Sequence, residues 1–481
     1  MTAQNRSRAG FACSVALLFL GSVGCASTST RSDRATVRDV VAKHGGLQFD
    51  ARDPGSEPRH TATQETRRLL ARPLSADDAV RIAFLENRDL RAQLADLGVA
   101  RADLVRLTTL PNPEGHAAVR MSRDPNQDPQ WDFGVAMNLT RLILVGKADS
   151  VGTNRLEAAR MRTAGAALTL AYRVRLAYYA LQAAQGKLAL LRANVDAARA
   201  SVETATELHR VGNLPALDLS QQEAAFAEAR VELSEAEAGV VDAHEMLGIL
   251  LGVPNGDATW TVEASLSDPA DNVPSLEETL RTAMRSSLEM REAEAEARAA
   301  ADAAGLSELS GWLPDLSVGF HMEFDGDYWE TGPEIMGSLP VFDRNQGDVL
   351  EHESELEAAR ARYVAAATRV RAVVRAVRNR AVSVDARARE YRDAILPIRK
   401  RVLTETIRQY NAMQLSVFQA LDARRQQIRV EMAYLDTLRE YWDTRAALDL
   451  AIAGRPTDVE LRGATMTTPL GGSPDGQTTI H

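Results

Sequence analysis

An internal duplication at a spacing of about 200 residues constrains the fold of this 481-residue chain more than any other feature. The segment 155–160, Arg-Leu-Glu-Ala-Ala-Arg, recurs at 355–360 as Glu-Leu-Glu-Ala-Ala-Arg. Three further pairs keep the same order at offsets of 200 to 203: Ser75 with Ser275, Leu110-Pro111 with Leu313-Pro314, and Leu251-Gly252 with Ala453-Gly454. We therefore expect two copies of one structural unit, at 74–253 and 275–454, joined by a linker at 254–274.

Each copy predicts a helix at its start. Ser75 with Asp78, and Ser275 with Glu278, place a capping hydroxyl three residues before an acid. Because proline ends helices and biases the residue before it towards extended geometry, we expect this helix to continue to the Leu-Pro pair of each copy.

Two stretches that follow alternate between apolar and polar side chains. In 316–324, Leu-Ser-Val-Gly-Phe-His-Met-Glu-Phe, the even positions are apolar, and in 131–139 the odd positions are apolar. This period predicts strands with one apolar face, and about nine to eleven residues is also the length of a tilted strand that crosses a bilayer. We expect hairpin strands at about 115–123 and 131–142 in the first copy, and at about 314–324 and 334–342 in the second.

Aromatic residues lie near the ends of these hairpins. Tyr328 and Trp329 are near one end of the second hairpin, Trp312 is near the other, and Trp131 begins a strand of the first. This distribution is similar to the aromatic girdles at membrane interfaces. Ordinary hairpins of a soluble domain are the alternative. Since four strands cannot close a barrel, and open edges are not tolerated in hydrocarbon, strands in a membrane would have to be pooled by several chains.

Long segments rich in alanine and leucine follow each hairpin, at about 146–211 and 347–412. About 65 residues at 1.5 Å each give roughly 100 Å of helix. Each segment then turns and returns as a shorter helix, at about 216–251 and 417–453. Gly212 suits a helix C-terminus at the first turn, whereas the second turn has no glycine. A coiled-coil spacer is the alternative, but the alternating strands argue against it.

The chain begins with a segment typical of secretion. Arg6 and Arg8 precede a short apolar stretch, so we interpret residues 1–24 as a signal peptide. Gly-Ser-Val-Gly at 21–24 followed by Cys25 resembles a bacterial lipobox, which would make Cys25 the lipidated first residue of the mature chain; an ordinary signal peptide is the alternative. We expect 25–73 to be a mostly extended tether and 455–481 a flexible tail.

In its duplicated helix, hairpin and helix plan, and in Leu339-Pro-Val-Phe-Asp343 after the last strand, the chain resembles the TolC-type outer-membrane efflux family, lipoprotein subclass, over about 74–454. The resemblance implies a mainly α fold with a small β part. A long antiparallel helical barrel would join four transmembrane strands per protomer, completing a twelve-stranded barrel as a homotrimer. It implies a passive duct in the outer membrane of a Gram-negative bacterium, lipid-anchored and extending into the periplasm, that works with a periplasmic adaptor and an inner-membrane pump.

The resemblance also implies roles for residues at the two helical turns. The family's turn motif is split between the copies, because Gly212 is kept in the first and Met413 stands in its place in the second. A periplasmic aperture is implied, formed by His209, Asp218, Tyr410, Gln419 and Asp422. Docking tips for the adaptor are implied at Gly212, Leu214, Met413 and Leu415, with the three apolar side chains exposed. Solvated acids on exposed helices are the alternative.

Several classes of function are disfavoured. The net charge of −10 argues against a nucleic-acid binder, and the only cysteines, Cys13 and Cys25, rule out a disulfide framework or a thiolate zinc site. No two histidines stand at helical spacing, so we expect no metal site and no cofactor, and we interpret His321 as a lining residue. No catalytic constellation is present, so we expect a channel and not an enzyme. A periplasmic adaptor-type coiled-coil protein is the alternative, and the cargo stays open among drugs, metals, siderophores and polypeptides.

Overall fold

A computed structural model of the chain describes residues 28–49, 60–121, 123, 128–253, 260–269, 273–313, 315–325 and 328–455. The described part is mainly helical and contains one four-stranded sheet. The first copy consists of α3 (Ala76–Glu86), α4 (Arg88–Thr108), β1 (Glu114–Arg120), β2 (Gln130–Asn138), α5 (Leu139–Arg210) and α6 (Ala216–Leu251). The second consists of α7 (Leu276–Ser286), α8 (Leu288–Trp312), β3 (Leu316–Asp325), β4 (Trp329–Gly337), α9 (Gln346–Glu390), α10 (Leu396–Asn411) and α11 (Val417–Ile452).

The helix that opens each copy is broken, contrary to the prediction of one continuous helix. The break falls at Asn87 in the first copy and at Ser287 in the second, and both residues have an extended backbone. Each side chain then caps the next helix, because the Leu90 N–H donates to Asn87 Oδ1 (2.9 Å) and the Met290 N–H donates to Ser287 Oγ (3.2 Å). Neither glycine nor proline stands at these positions, so the break lacks the residues that most often end a helix.

A glycine at the end of each copy packs against this break. Gly252 and Gly454 both have positive φ, of 72° and 73°. A Cβ on Gly252 would lie 2.7 Å from the carbonyl oxygen of Glu86, and a Cβ on Gly454 would lie 2.1 Å from the Cα of Ser287. The end of each copy therefore closes onto its own beginning, at a contact that only glycine permits.

The long helices lie where the composition predicts them. The only interruption in the second long segment is a π turn, Tyr391–Ile395, between α9 and α10. Pro397 is the second residue after this turn. Proline removes one backbone donor and crowds the preceding turn, and a π turn is one of the ways in which a helix accommodates that defect.

Four strands occur near the predicted positions, but all of their bounds differ, those of β1 and β3 by one to three residues and those of β2 and β4 by up to five. β2 ends at Asn138 and not near 142, because the Asn138 side chain accepts from the Arg141 N–H (2.8 Å) and so begins α5. β4 spans Trp329–Gly337 and not 334–342. It begins early because Trp329 pairs directly with Phe324, and Pro340, which has no N–H to donate, follows its end.

The prediction of a mostly extended segment at 25–73 is wrong where the structure describes it. Two helices occur there, α1 (Arg31–Gly45) and α2 (His60–Leu70). α1 is held by burial of Val37 and Val41, one helical turn apart, and by Asp33, whose carboxylate accepts from Arg160 Nη2 at 2.6 Å. The predicted signal peptide, Cys25 and residues 456–481 lie outside the described residues.

The chain divides into two compact units. One contains the sheet, within Asp96–Ala159 and Ala295–Arg360. Among the described residues, the other contains Asp33–Ala95, Arg160–Glu294 and Ala361–Arg455, including both helix breaks and both helical turns. In this second unit the linker adds a parallel bridge between Leu74 and Val262. None of the helices in the described ranges combines the length and the apolar character needed to cross a lipid bilayer.

Candidate functional site

The sheet joins the two copies of the repeat. Its order is β1-β2-β3-β4, all antiparallel, and the central pair brings β2 of the first copy against β3 of the second. β1 and β4 are therefore edge strands, each with one row of backbone donors and acceptors that the sheet leaves unpaired. A further strand could pair with either edge.

One face of the sheet is apolar and open. The register places on it Val119, Trp131, Phe133, Val135, Met137, Val318, Phe320, Met322, Phe324, Trp329 and Ile335, with small residues, Leu316, Thr331 and Pro333 between them. Among the strand residues that the structure describes, none on this face is charged. Phe320 is 51% exposed and Ile335 is 72% exposed. An exposed apolar surface of this extent needs a cover of lipid or protein.

The predicted interface aromatics lie in two places. Trp131 and Trp329 belong to a cluster near the hairpin turns, in which the Phe324 and Trp329 ring centroids are 5.1 Å apart and those of Phe133 and Trp329 are 6.3 Å apart. Tyr328, beside this cluster, is exposed. Trp312 ends α8 and is 81% exposed. Their role at a membrane interface stays a prediction.

The opposite face of the sheet is polar and mostly acidic. Its described carboxylates are Glu114, Asp132, Glu323, Glu330 and Glu334. The only guanidinium among the described residues of this face is Arg120, which bonds Asp132 Oδ2 at 3.1 Å and lies 3.5 Å from Glu323. Such a face attracts cations and repels anions.

Two histidines and an aspartate meet on this polar face. His116 Nε2 lies 3.1 Å from Asp132 Oδ1, and His321 Nδ1 lies 3.5 Å from the same oxygen. Helical spacing does not predict this cluster, because its three residues lie on three different strands. The strand pattern offered a usable signal, since His321 lies on the polar face and pairing through Gly134 brings His116 opposite it.

The first helical turn, between α5 and α6, is closed by glycine. Gly212 has φ of 80°, its N–H donates to the His209 carbonyl at 2.9 Å, and the Asn213 N–H donates to the Leu208 carbonyl at 2.9 Å. His209 also bonds the Leu214 carbonyl through Nδ1 at 2.7 Å. These paired bonds are a helix C-terminal motif that requires a left-handed residue.

The second turn has the same backbone with methionine in the glycine's position. Met413 has φ of 60°, and its N–H donates to the Tyr410 carbonyl at 2.8 Å. Its side chain is 95% exposed. Gln419 forms a capping box with Ser416, in which the Ser416 N–H donates to Gln419 Oε1 at 3.0 Å. At the equivalent place in the first turn, Pro215 has no N–H to donate to Asp218.

The structure places the predicted aperture residues in two separate turns. Asp422 accepts from Gln426 Nε2 at 2.7 Å on its own helix. Among the described residues, no hydrogen bond or ion pair joins one turn to the other. The prediction that Leu214 and Leu415 are exposed is wrong for the single chain, since both are half-buried. Val211 and Leu217 are the large exposed apolar residues of the first turn, and neither is among the predicted docking tips.

Comparison with solved structures defines the class of fold. The outer-membrane channel OprN superposes with a TM-score of 0.63 at 18% identity, covering 87% of this chain and 96% of that one. The fold is that of the outer-membrane channels, mainly helical with a small sheet.

Comparison of sequences agrees with this class. Residues 79–253, inside the first copy, match the family model described as outer membrane efflux protein. The cobalt-zinc-cadmium resistance protein CzcC of Cupriavidus metallidurans is 23% identical over 81% of this chain and 92% of its own length. The nickel-cobalt-cadmium resistance protein NccC of Alcaligenes xylosoxydans xylosoxydans is 26% identical over 61% of this chain and 66% of its own. The resemblance to the outer-membrane efflux family is thereby confirmed.

Proposed function

We propose that the chain is the outer-membrane channel of a tripartite efflux system, a passive duct that carries substrates out of the periplasm. The single observation that carries this proposal is a sheet with an exposed, uncharged apolar face on one side and an acidic face on the other. In a membrane barrel the first face contacts lipid and the second lines the lumen.

The open edges of the sheet argue for assembly. Backbone groups left unpaired in hydrocarbon cost several kcal/mol each, so β1 of one protomer has to pair with β4 of the next. Three protomers of four strands give twelve, as in the family that the chain resembles. In this assembly the helical turns would carry the aperture, with Asp218 and Asp422 around one axis, and the exposed Met413, Val211 and Leu217 would meet a periplasmic adaptor coupled to an inner-membrane pump.

Divalent metal cations are the cargo class that fits best. The acidic face favours cations over anions, and the names of the two similar resistance proteins refer to cobalt, zinc, cadmium and nickel. Lipidation of Cys25 would anchor the N-terminus to the same membrane as the strands.

A pair of neighbouring substitutions tests the proposal. Ile335 lies on the apolar face of β4, and Met336, the next residue, lies on the polar face and is also exposed. Ile335→Arg should cost about 2 kcal/mol in the bilayer and reduce the yield of outer-membrane trimer, whereas Met336→Arg should leave it unchanged. Membrane fractionation, and the mass of the complex extracted in mild detergent, measure both.

The outcomes separate the candidate functions. A three-chain complex in the outer membrane, with cation-selective conductance in planar bilayers, supports the duct. Recovery of the wild-type chain as a soluble periplasmic monomer would reject it in favour of an adaptor-type protein.

A further inference from the structure

Three potential metal ligands on the polar face of the sheet converge on one point. They are His116 on β1, Asp132 on β2 and His321 on β3, and their nearest nitrogen and oxygen atoms all lie within 4.8 Å of one another. Each comes from a different strand, so the position of the cluster is fixed by the register of the sheet and not by a flexible loop.

We propose that these three residues bind one divalent transition-metal ion of the zinc and cobalt type. Bonds of about 2.0–2.1 Å in a tetrahedral site place neighbouring donor atoms roughly 3.3 Å apart. The two separations measured from Asp132 Oδ1, 3.1 Å to His116 Nε2 and 3.5 Å to His321 Nδ1, bracket that value. The third separation, between the ligand nitrogens of His116 and His321, is within 4.8 Å, so a bound ion would draw the two rings closer together.

Neighbouring residues fix the orientation of two of the three ligands. The ring of His116 lies directly over Gly134, where a Cβ would be 2.2 Å from the ring Cε1, so a side chain at 134 would displace the ring. Arg120 bonds Asp132 Oδ2 and leaves Oδ1 for the ion. A hydrogen bond to the other oxygen of a ligating carboxylate fixes the orientation of that carboxylate.

One ligand atom has no hydrogen bond among the described residues. His321 Nδ1 is buried and has no hydrogen-bond partner, although a buried polar atom normally has one. A bound cation would satisfy it. Asp132 is only 8% exposed, so the oxygen that faces both histidines is largely shielded from bulk water.

The ligand set indicates the class of ion. Two imidazoles and one carboxylate suit Zn²⁺, Co²⁺ or Ni²⁺, whereas Mg²⁺ and Ca²⁺ prefer oxygen ligands alone. Three protein ligands leave a position for water, and His116 is half exposed, so the ion exchanges with solvent. The metal site depends on the sheet alone. That it binds metal cargo passing through the duct rests on the proposed function.

Cobalt titration of the full purified chain in detergent tests the site. We expect one Co²⁺ per chain, with the visible absorption of cobalt bound to nitrogen and oxygen ligands, displaced by Zn²⁺ and not by excess Mg²⁺. His116→Gln and His321→Gln should each weaken binding at least about tenfold. The matched control is His352→Gln, because His352 is a half-buried histidine on α9 whose Nδ1 bonds the Asp348 carbonyl of its own helix, away from the sheet.

Gly134→Ala adds a test that keeps all three ligands. The new methyl group displaces the His116 ring and should weaken Co²⁺ binding, while the mass of the complex reports whether the sheet still assembles. Equal Co²⁺ affinity in the wild type and in both histidine variants would overturn the proposal, and so would equal displacement by Mg²⁺. Because the titration is done in detergent, Co²⁺ binding by a chain that never reaches the outer membrane would reject the proposed function and leave the site standing.

Discussion

The two copies of the repeat agree at one glycine and differ at another. At the end of each copy, Gly252 and Gly454 have positive φ and lie against backbone atoms of the helix break. At the helical turns, Gly212 in the first copy corresponds to Met413 in the second, and both have positive φ. A Cβ on Gly212 would meet nothing within 4 Å.

This difference separates two reasons for glycine. Positive φ alone costs a side chain about 1 kcal/mol, which Met413 tolerates in open space. Positive φ together with a backbone contact leaves no room for any Cβ. Both copies therefore have glycine where a backbone contact excludes any Cβ. Where only a positive φ is required, one copy has glycine and the other has methionine.

The largest expected effect is at the packed glycines. Gly454→Ala forces a methyl group against the Ser287 Cα and should destabilise the protein by about 3–4 kcal/mol, with a large fall in Tm in detergent. Gly252→Ala should destabilise the protein by a similar amount. The matched control is Gly212→Ala, for which we expect about 1 kcal/mol. Similar losses of stability in all three glycine variants would contradict the distinction between packed and open glycines.

A half-buried aspartate distinguishes the returning helices. Asp443 on α11 corresponds to Asp242 on α6, which is exposed. Burial raises the pKa of Asp443 to about 6, with the Arg439 charge opposing the shift. The folded state then holds its proton more tightly than the unfolded state, so stability should fall as pH rises from about 4 to 6.

Asp443→Asn removes this dependence. We expect the variant to exceed the wild type in stability by about 2 kcal/mol at pH 7 and to match it below pH 4, as measured by Tm against pH. Asp242→Asn is the control and should follow the wild-type profile throughout. A wild-type pH profile unchanged by Asp443→Asn would contradict the assigned cause.

The smallest effect is at the turns. Met413→Gly relieves the left-handed strain and should raise stability by about 1 kcal/mol, measured as a rise in Tm. The reciprocal change, Gly212→Met, should lower it by a similar amount. A loss of stability in Met413→Gly would show that the methionine side chain makes a stabilising contact in the assembled protein.

The sequence alone predicts the features that local periodicity determines. The alternation in 131–139 and 316–324 predicted which side chains share a face, and the composition predicted the long helices. The sequence pattern does not predict features that depend on contacts between residues far apart in the chain. Asn87 and Ser287 break their helices because a glycine from the far end of the same copy packs there, and α1 is held by burial and by Arg160. The cluster of His116, Asp132 and His321 depends on the register of three strands, which no single strand's pattern contains.

The most direct test of the account is the environment of alternate strand residues in the membrane. Single cysteines carrying a fluorescent label would be placed at Val318, Phe320 and Ile335 on the apolar face, and at Ser317, Glu323 and Glu334 on the polar face, in chains reconstituted into liposomes. We predict that lipid-borne quenchers act on the first set and that aqueous iodide acts on the second. Equal quenching of both sets by iodide would contradict a lipid-facing sheet.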